Sequence, residues 1–437
     1  MAISIMRLTV ANVGALLRPI MLPLTAIVML LSIVVDVNMM LILDVYFALL
    51  FIMLPLQGLV EFMCFLFPLM HLVEYSHVLL MALVILVIKR GTIDVRSAFL
   101  IVFFSGWEFI AHFMYEASTL NRMMGYVVTV AVLIYFMYET IPSIDFAKCI
   151  EYYIWGLSVL FVAYLLDMLL LKGTSYLVLL LSGQGRFGGT ASDELLGMKI
   201  GINANTLAYY SVCGVSSILF LQQYGNKRKA FIGLLGFFML CGAMTLSRSW
   251  VLMMLIIVFL YAFSVEKDIK RILGRWIGIG VAGGITLWYL STQTSIMDTI
   301  LERFQSESIE TAGGRTITIA QYLNAFFASD KLMLFGTGVT DSVKVIGNEL
   351  SIHNGTIQIL VSLGIPVALI MYIMLYSPLL IAFARRESLI FFLPILSIIG
   401  FTQTIQFLNP NVLMLHYIIG VYALRLGGKH KGIVVGL

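Results

Sequence analysis

Apolar runs long enough to cross a bilayer recur along this chain, and they leave few architectures open. Residues 355–384, GTIQILVSLGIPVALIMYIMLYSPLLIAFA, carry no charged side chain. A hydrocarbon core about 30 Å thick takes roughly 20 helical residues, and a soluble core helix has no use for so long a stretch. Composition agrees: 61% of the 437 residues are apolar and 11% charged. Soluble domains run near half and a quarter. The chain reads as a polytopic membrane protein.

Spans are expected near 19–36, 39–56, 58–71, 73–88, 97–114, 124–140 and 150–171. A second group follows near 200–223, 230–246, 249–265, 276–291, 353–383, 388–406 and 411–426. The crowded stretch 39–88 holds two or three of them, giving about 12–14 in all. The first apolar run reads as a span rather than a cleavable signal. Cys64, Cys149, Cys213 and Cys241 lie in or beside apolar runs with no metal-ligand or disulfide-like spacing, and read as small hydrophobes.

Orientation follows from the basic residues of short loops. Lys89-Arg90, Lys227–Lys229, Lys267–Arg275, Arg385-Arg386 and Lys429–Lys431 fall on one side when the spans alternate, which makes that side cytoplasmic. The net charge of +4 is therefore set by topology and does not point to nucleic acid. Residues 292–350 come out on the opposite side, with four basic and seven acidic side chains, a net of −3. The organisation is N-terminal helices over 1–171, central helices over 172–291 with a short external loop at 172–199, a large external loop over 292–350, and C-terminal helices and tail over 351–437. A long loop in a compact membrane domain is usually functional.

Three outer-side residues carry candidate chemistry. Arg248, in TLSRSW, sits in a turn between two spans. Its planar fork suits phosphate oxygens, although a guanidinium snorkelling to the interface would also stand there. Arg315 follows the chain break at Gly313-Gly314 and opens a stretch with Ile319, Leu323 and Phe326-Phe327 at helical spacing, an amphipathic helix for the outer interface. A cation disfavours that helix end, which suggests an anionic ligand; a salt bridge to Glu307 or Glu310 is the plain alternative. His353 opens the next span, where the helix dipole favours the neutral imidazole that a general base requires. Asn354 beside it can orient a hydroxyl or the imidazole, and a simple helix-capping role for His353 is the alternative. Two guanidiniums and a neutral base beside lipid suit a lipid-linked diphosphate as leaving group and a hydroxyl as nucleophile. Within the spans, Glu108 and His112 are one helical turn apart and read as a structural pair, with Asp44 and Asp167 as further structural polar groups.

The order of these segments resembles the O-antigen ligase and polymerase superfamily. Members carry an SRG-like turn, a GR-x-x-x-W helix running into P-L-x-G-x-G, and an HN-x-x-L-x-x-L-x-x-x-G span start. The matching residues here are Ser247-Arg248, Gly314-Arg315, Leu334-Phe335-Gly336-Thr337-Gly338, His353-Asn354 and Gly364. Upstream, RFGG through INANTLA is similar to the family's R-x-x-G and N-x-N-x-L-A stretch, which implicates Arg186 and Asn205. Ser249 stands where a glycine is usual, Ile319 where an aromatic is common, and Pro366 follows Gly364-Ile365 where a second glycine is usual. The resemblance covers 186–380; the first 170 residues match in hydrophobicity alone.

The resemblance implies an all-α membrane bundle like the integral-membrane, GT-C-like glycosyltransferases, with the large external loop bearing amphipathic helices. It implies an inverting transfer of glycan from undecaprenyl diphosphate to an acceptor glycan hydroxyl at the outer face of the bacterial inner membrane, with no metal and no cofactor. Arg248, Arg315 and His353 would be catalytic. Arg186, Asn205, Asn354 and Arg303 would bind substrate. A polymerase of O-antigen, capsule or exopolysaccharide is expected, with a chain-length regulator as a partner protein. A ligase to lipid A–core or a protein hydroxyl is the alternative. A transporter of the same lipid-linked sugar is more distant, because the sequence displays no inverted repeats with interrupted helices near the midplane of the kind transporters use.

Overall fold

A computed structural model describes residues 40–73, 76–115, 120–139, 144–182, 184–188, 203–223, 229–264, 315–339, 342–347, 352, 354–385 and 412–427, with isolated helical positions between 274 and 292. Every regular element among the described residues is a helix. Four of them, at Val95–Tyr115, Phe146–Lys172, Ala204–Gln222 and Gly355–Ala382, are long and apolar enough to cross a membrane. This is an all-helical membrane protein. The spans expected at 19–36 and 388–406, and nearly all of 276–291, lie outside the described residues.

The crowded region resolves into three helices, α1 (Met40–Met53), α2 (Leu56–Val73) and α3 (Ser76–Arg90). Lys89 closes this group: its ammonium donates to the carbonyls of Ile52, at 2.8 Å, and Leu54. A cation there satisfies the orphan carbonyls at a helix end and favours the negative end of the dipole. Arg90 pairs with Glu139, which also accepts from the Asp94 amide and so ties the loop after α3 to the end of another helix. The basic turn Lys89-Arg90 thus has a local structural use as well as a topological one.

Next come α4 (Val95–Tyr115), α5 (Leu120–Tyr138), α6 (Phe146–Lys172) and the short α7 (Tyr176–Ser182). α6 starts where Asp145 accepts from the Ala147 and Lys148 amides, an N-cap that fixes its first turn. The central group is α8 (Ala204–Gln223), α9 (Lys229–Met244) and α10 (Arg248–Ser264). α8 is 89% buried over its apolar window and α4 only 22%. α8 is therefore the axis of the bundle, and α4 lies at its edge with Phe99, Val102 and Phe113 facing outward. Uncovered apolar rows of this kind suit lipid contact. Cys64, Cys149, Cys213 and Cys241 are free and buried, in line with their reading as small hydrophobes.

In the 292–350 segment the chain forms α11 (Arg315–Phe327), α12 (Asp330–Phe335) and α13 (Ser342–Ile346). α11 buries Thr318, Tyr322 and Phe326, one turn apart, and leaves Ile317 and Phe327 exposed. Tyr322 and Phe326 join Leu332, Ile352 and Val361 in a small core of their own, so the buried face of α11 is anchored on Tyr322 and Phe326 rather than Phe327. The last elements are α14 (Gly355–Arg385) and α15 (Val412–Gly427).

α14 is broken. Gly364 stands at φ 71°, ψ 167°, a region that only glycine occupies without strain. Two residues on, Pro366 has no N–H to offer the Ser362 carbonyl. The expectation of uninterrupted helices is therefore corrected: the Gly364-Ile365-Pro366 sequence ends one half-helix and starts another. In lipid each unsatisfied carbonyl would cost several kcal/mol, and the chain supplies donors from elsewhere. Thr337 N–H donates to Val361 O at 2.9 Å and Gly338 N–H to Ser362 O at 3.0 Å. The Trp107 indole N–H donates to Leu363 O and to Phe335 O, both at 3.1 Å. Backbones approach so closely that a Cβ on Gly336 would lie on the Ser362 carbonyl and one on Gly364 on the Leu334 carbonyl.

Gly364→Ala should therefore lower stability by about 3 kcal/mol or more, combining strain at positive φ with the lost approach of the turn. Thermal unfolding of the purified protein should show a midpoint lowered by about 5 °C or more. Gly106→Ala, on the open face of α4 with no atom near the added carbon, should leave it unchanged. Equal midpoints for the two variants would contradict this packing.

Candidate functional site

The residues singled out by sequence fall into two groups, each built around an unusual turn. The first joins segments 184–188, the start of α8 and the turn between α9 and α10. Asn203 caps α8: its Oδ1 accepts the Asn205 amide at 2.8 Å, and its carbonyl accepts from Leu207. This places Asn205 in the first turn. Arg186 then spans two elements with its fork, donating from Nη2 to Asn205 Oδ1 at 2.9 Å and from Nε to the Thr245 carbonyl at 2.8 Å. Its own backbone is held by the Tyr176 hydroxyl, which accepts from Arg186 N–H and donates to Arg186 C=O. Phe187 N–H donates to Met244 O, and Gly188 passes so close to Ala204 that a side chain could not be inserted.

Thr245 leads directly into Arg248. The turn between them holds Leu246 at φ 51°, the one non-glycine residue at positive φ among the described residues. A leucine in that region costs on the order of 1 kcal/mol, and such strain persists only where neighbours enforce it. Here Thr245 and Leu246 donate back to Gly242 and Ala243, and the Trp250 indole donates to Ser211 Oγ at 3.2 Å while Ser211 donates to Phe238 O. These contacts fix the first turn of α10, which begins at Arg248. Ser249 uses the position where the resembled family has glycine to place its hydroxyl 3.0 Å from that of Ser247. Arg186, Asn205 and the turn carrying Arg248 thus form one half-buried polar cluster. Asn205 Oδ1 and the Thr245 carbonyl orient the Arg186 guanidinium.

The second group surrounds the break in α14. LFGTG, residues 334–338, lies against Val361–Leu363, and Asn354 caps the half-helix at its other end, its Oδ1 accepting from Ile357 N–H at 3.1 Å. This cap, rather than a free amide, is the structural role of Asn354. His353 and Arg303 lie outside the described residues, as does the side chain of Arg315; the backbone of Arg315 opens α11. Arg303 is not brought to either group by anything described.

Sequence reasoning passed over two residues of this group. Trp107 went unremarked, although it caps a broken membrane helix and stacks on Phe335 with centroids 5.6 Å apart. Glu108 was read as a partner for His112 in its own helix. Its carboxylate accepts the Val339 amide, at 2.9 and 3.1 Å from its two oxygens, and is buried. The adjacent pair on α4 thus fastens both sides of the 335–339 turn. An acid and an indole side by side in an apolar span were the available signal; the partner more than two hundred residues away was not visible.

The Arg186–Asn205 bond makes a quantitative expectation. Arg186→Lys keeps the charge but loses the two-pronged reach, and Asn205→Ala removes one acceptor. Each should destabilise the protein, and the double variant should do so by less than the sum, with a coupling of about 1–2 kcal/mol in thermal unfolding. Simple additivity would mean that the two side chains do not interact.

No protein-family model matches this chain, and no curated protein matches it.

Proposed function

We propose that the protein is an integral-membrane glycosyltransferase that polymerises lipid-linked glycan repeat units, transferring the growing glycan from undecaprenyl diphosphate to an acceptor sugar hydroxyl. The observation that carries this reading is the meeting of separated sequence segments. Arg186, Asn205 and the TLSRSW turn converge on one polar cluster, and LFGTG converges on the Gly364 break. Segments far apart in sequence are thereby joined by hydrogen bonds within each of the two groups.

In this reading Arg248 and Arg315 hold the diphosphate and take up the charge that develops as it leaves, the usual task of preorganised donors at a departing anion. Arg186, held by Asn205 and the Thr245 carbonyl, belongs to the cluster built on the turn that carries Arg248. Asn354 fixes the start of α14, and with it the backbone on which His353 is carried. His353 accepts the proton of the acceptor hydroxyl as the new glycosidic bond forms and the bond to the diphosphate breaks. Attack opposite the leaving group inverts the anomeric centre. The active face is the periplasmic or outer side of the cytoplasmic membrane, as the charge of the 292–350 segment suggests.

A transporter for the same lipid-linked sugar is the second reading, and the break in α14 is the observation that favours it, since transporters bind cargo and ions at unwound helices. Against it, the three carbonyls released at the break are already engaged by Thr337, Gly338 and Trp107.

The test is transfer from purified lipid-linked repeat units, with donor binding measured separately. His353→Ala should lower transfer by about 10²–10⁴-fold while leaving donor binding nearly intact. His353→Gln, which can hydrogen-bond but cannot take up a proton at neutral pH, should be equally inactive. Full activity in the Gln variant would remove His353 as the base, and a pure loss of donor binding would move it to the phosphate side.

A further inference from the structure

A cavity of about 380 Å³ opens between the end of α4 and the helices α12 and α13. Its lining is Tyr115, Ser329, Lys331, Leu332, Lys344 and Val345. Two lysines and, among the described residues, no carboxylate line it, in a segment whose overall charge is negative. The Tyr115 hydroxyl is shielded from solvent and has no hydrogen-bond partner among the described residues. Lys331 lies 4.5 Å from the Tyr115 ring centroid, a cation–π contact that draws its ammonium towards the cavity wall. Ser329 Oγ accepts from Leu332 N–H at 3.3 Å to cap α12, which leaves its own proton available to donate.

We propose that this cavity binds an acidic sugar, a carboxylate-bearing residue of the acceptor glycan. Two lysines, a tyrosine ring and a serine belong to its lining. The volume admits a sugar unit rather than a lone ion and lies in the range of small-molecule sites. Lysines on flexible stems suit a single carboxylate, whereas the planar forks that favour paired phosphate oxygens occur in the other cluster. Position supports the acceptor rather than the donor end. Tyr115 and Val345 pack on the same small core as Ile352, the residue that precedes His353. A sugar held here would bring its neighbour's hydroxyl towards the start of α14. The identity of the ligand rests on the glycan-transfer reading; the presence of an anion site does not.

The experiment is a binding titration of the full chain in phosphatidylcholine nanodiscs. The probe is an oligosaccharide of alternating glucuronate and N-acetylglucosamine, with a neutral N-acetylglucosamine oligomer of equal length as reference. The acidic probe should bind, the neutral one should not, and binding should weaken as salt rises. Lys331→Ala and Lys344→Ala should each weaken it about tenfold, and Lys344→Arg should restore most of the loss. Absence of binding, equal binding of the neutral oligomer, or indifference to both lysine variants would overturn the proposal. So would a lipid headgroup as the true occupant, seen if phosphatidylglycerol added to the nanodiscs is retained through Lys331 and Lys344 and excludes the saccharide. Binding is read without turnover: acid binding by a protein that does not transfer would contradict the transfer reading alone, and transfer without acid binding would contradict this site alone.

Discussion

Three carbonyl oxygens in the middle of an apolar helix must find hydrogen-bond donors, and much of the surrounding architecture answers that demand. The Gly364 break releases the carbonyls of residues 361–363 in the interior of a span. Water is not at hand there, so the donors come from protein. Thr337 and Gly338 bring the end of the 292–350 segment down onto α14, and Trp107 brings α4. Glu108 then satisfies the Val339 amide on the far side of the same turn. The end of the 292–350 segment, an edge helix and a broken span are thereby locked into one unit by main-chain requirements alone, before any substrate is considered.

That lock has a consequence for chemistry. The half-helix from Gly355 to Leu363 is held at both ends, by the Asn354 cap and by the LFGTG turn. The described start of α14 is thereby fixed relative to the 334–338 turn. The other cluster follows the same logic with different means. Arg186 clamps the start of α8 to the strained Thr245–Leu246 turn, and α10 emerges from that turn with Arg248 at its head. In both places backbone geometry that would be unfavourable alone is enforced by a side chain distant in sequence.

Much of this was legible from the chain, and the limits were physical. Apolar length located the helices at 95–115, 146–172, 204–223 and 355–385 to within a few residues, because lipid thickness dictates length. Gly314-Arg315 marked the start of α11 because a glycine pair ends what precedes it. Arg186 and Asn205 were named by resemblance, and their hydrogen bond supplies the geometric reason for choosing both. The break at Gly364 was written in Gly364-Ile365-Pro366 but passed over, since glycine and proline are tolerated in membrane helices whenever neighbours supply donors. Those neighbours, Trp107 and Thr337, are identified by packing. Phe326 and Phe327 were equivalent by spacing; only the position of the small core around Tyr322 separates a buried ring from an exposed one.

Cleavage of the donor is the step on which the account stands, and it separates glycan transfer from transport of the same lipid. The decisive measurement uses the purified protein in proteoliposomes with lipid-linked repeat units extracted from cells lacking it. Released undecaprenyl diphosphate and lengthened glycan are quantified together. One molecule of undecaprenyl diphosphate should appear for each glycosidic bond formed. Intact donor moved from one leaflet to the other, with no undecaprenyl diphosphate released, would contradict the account.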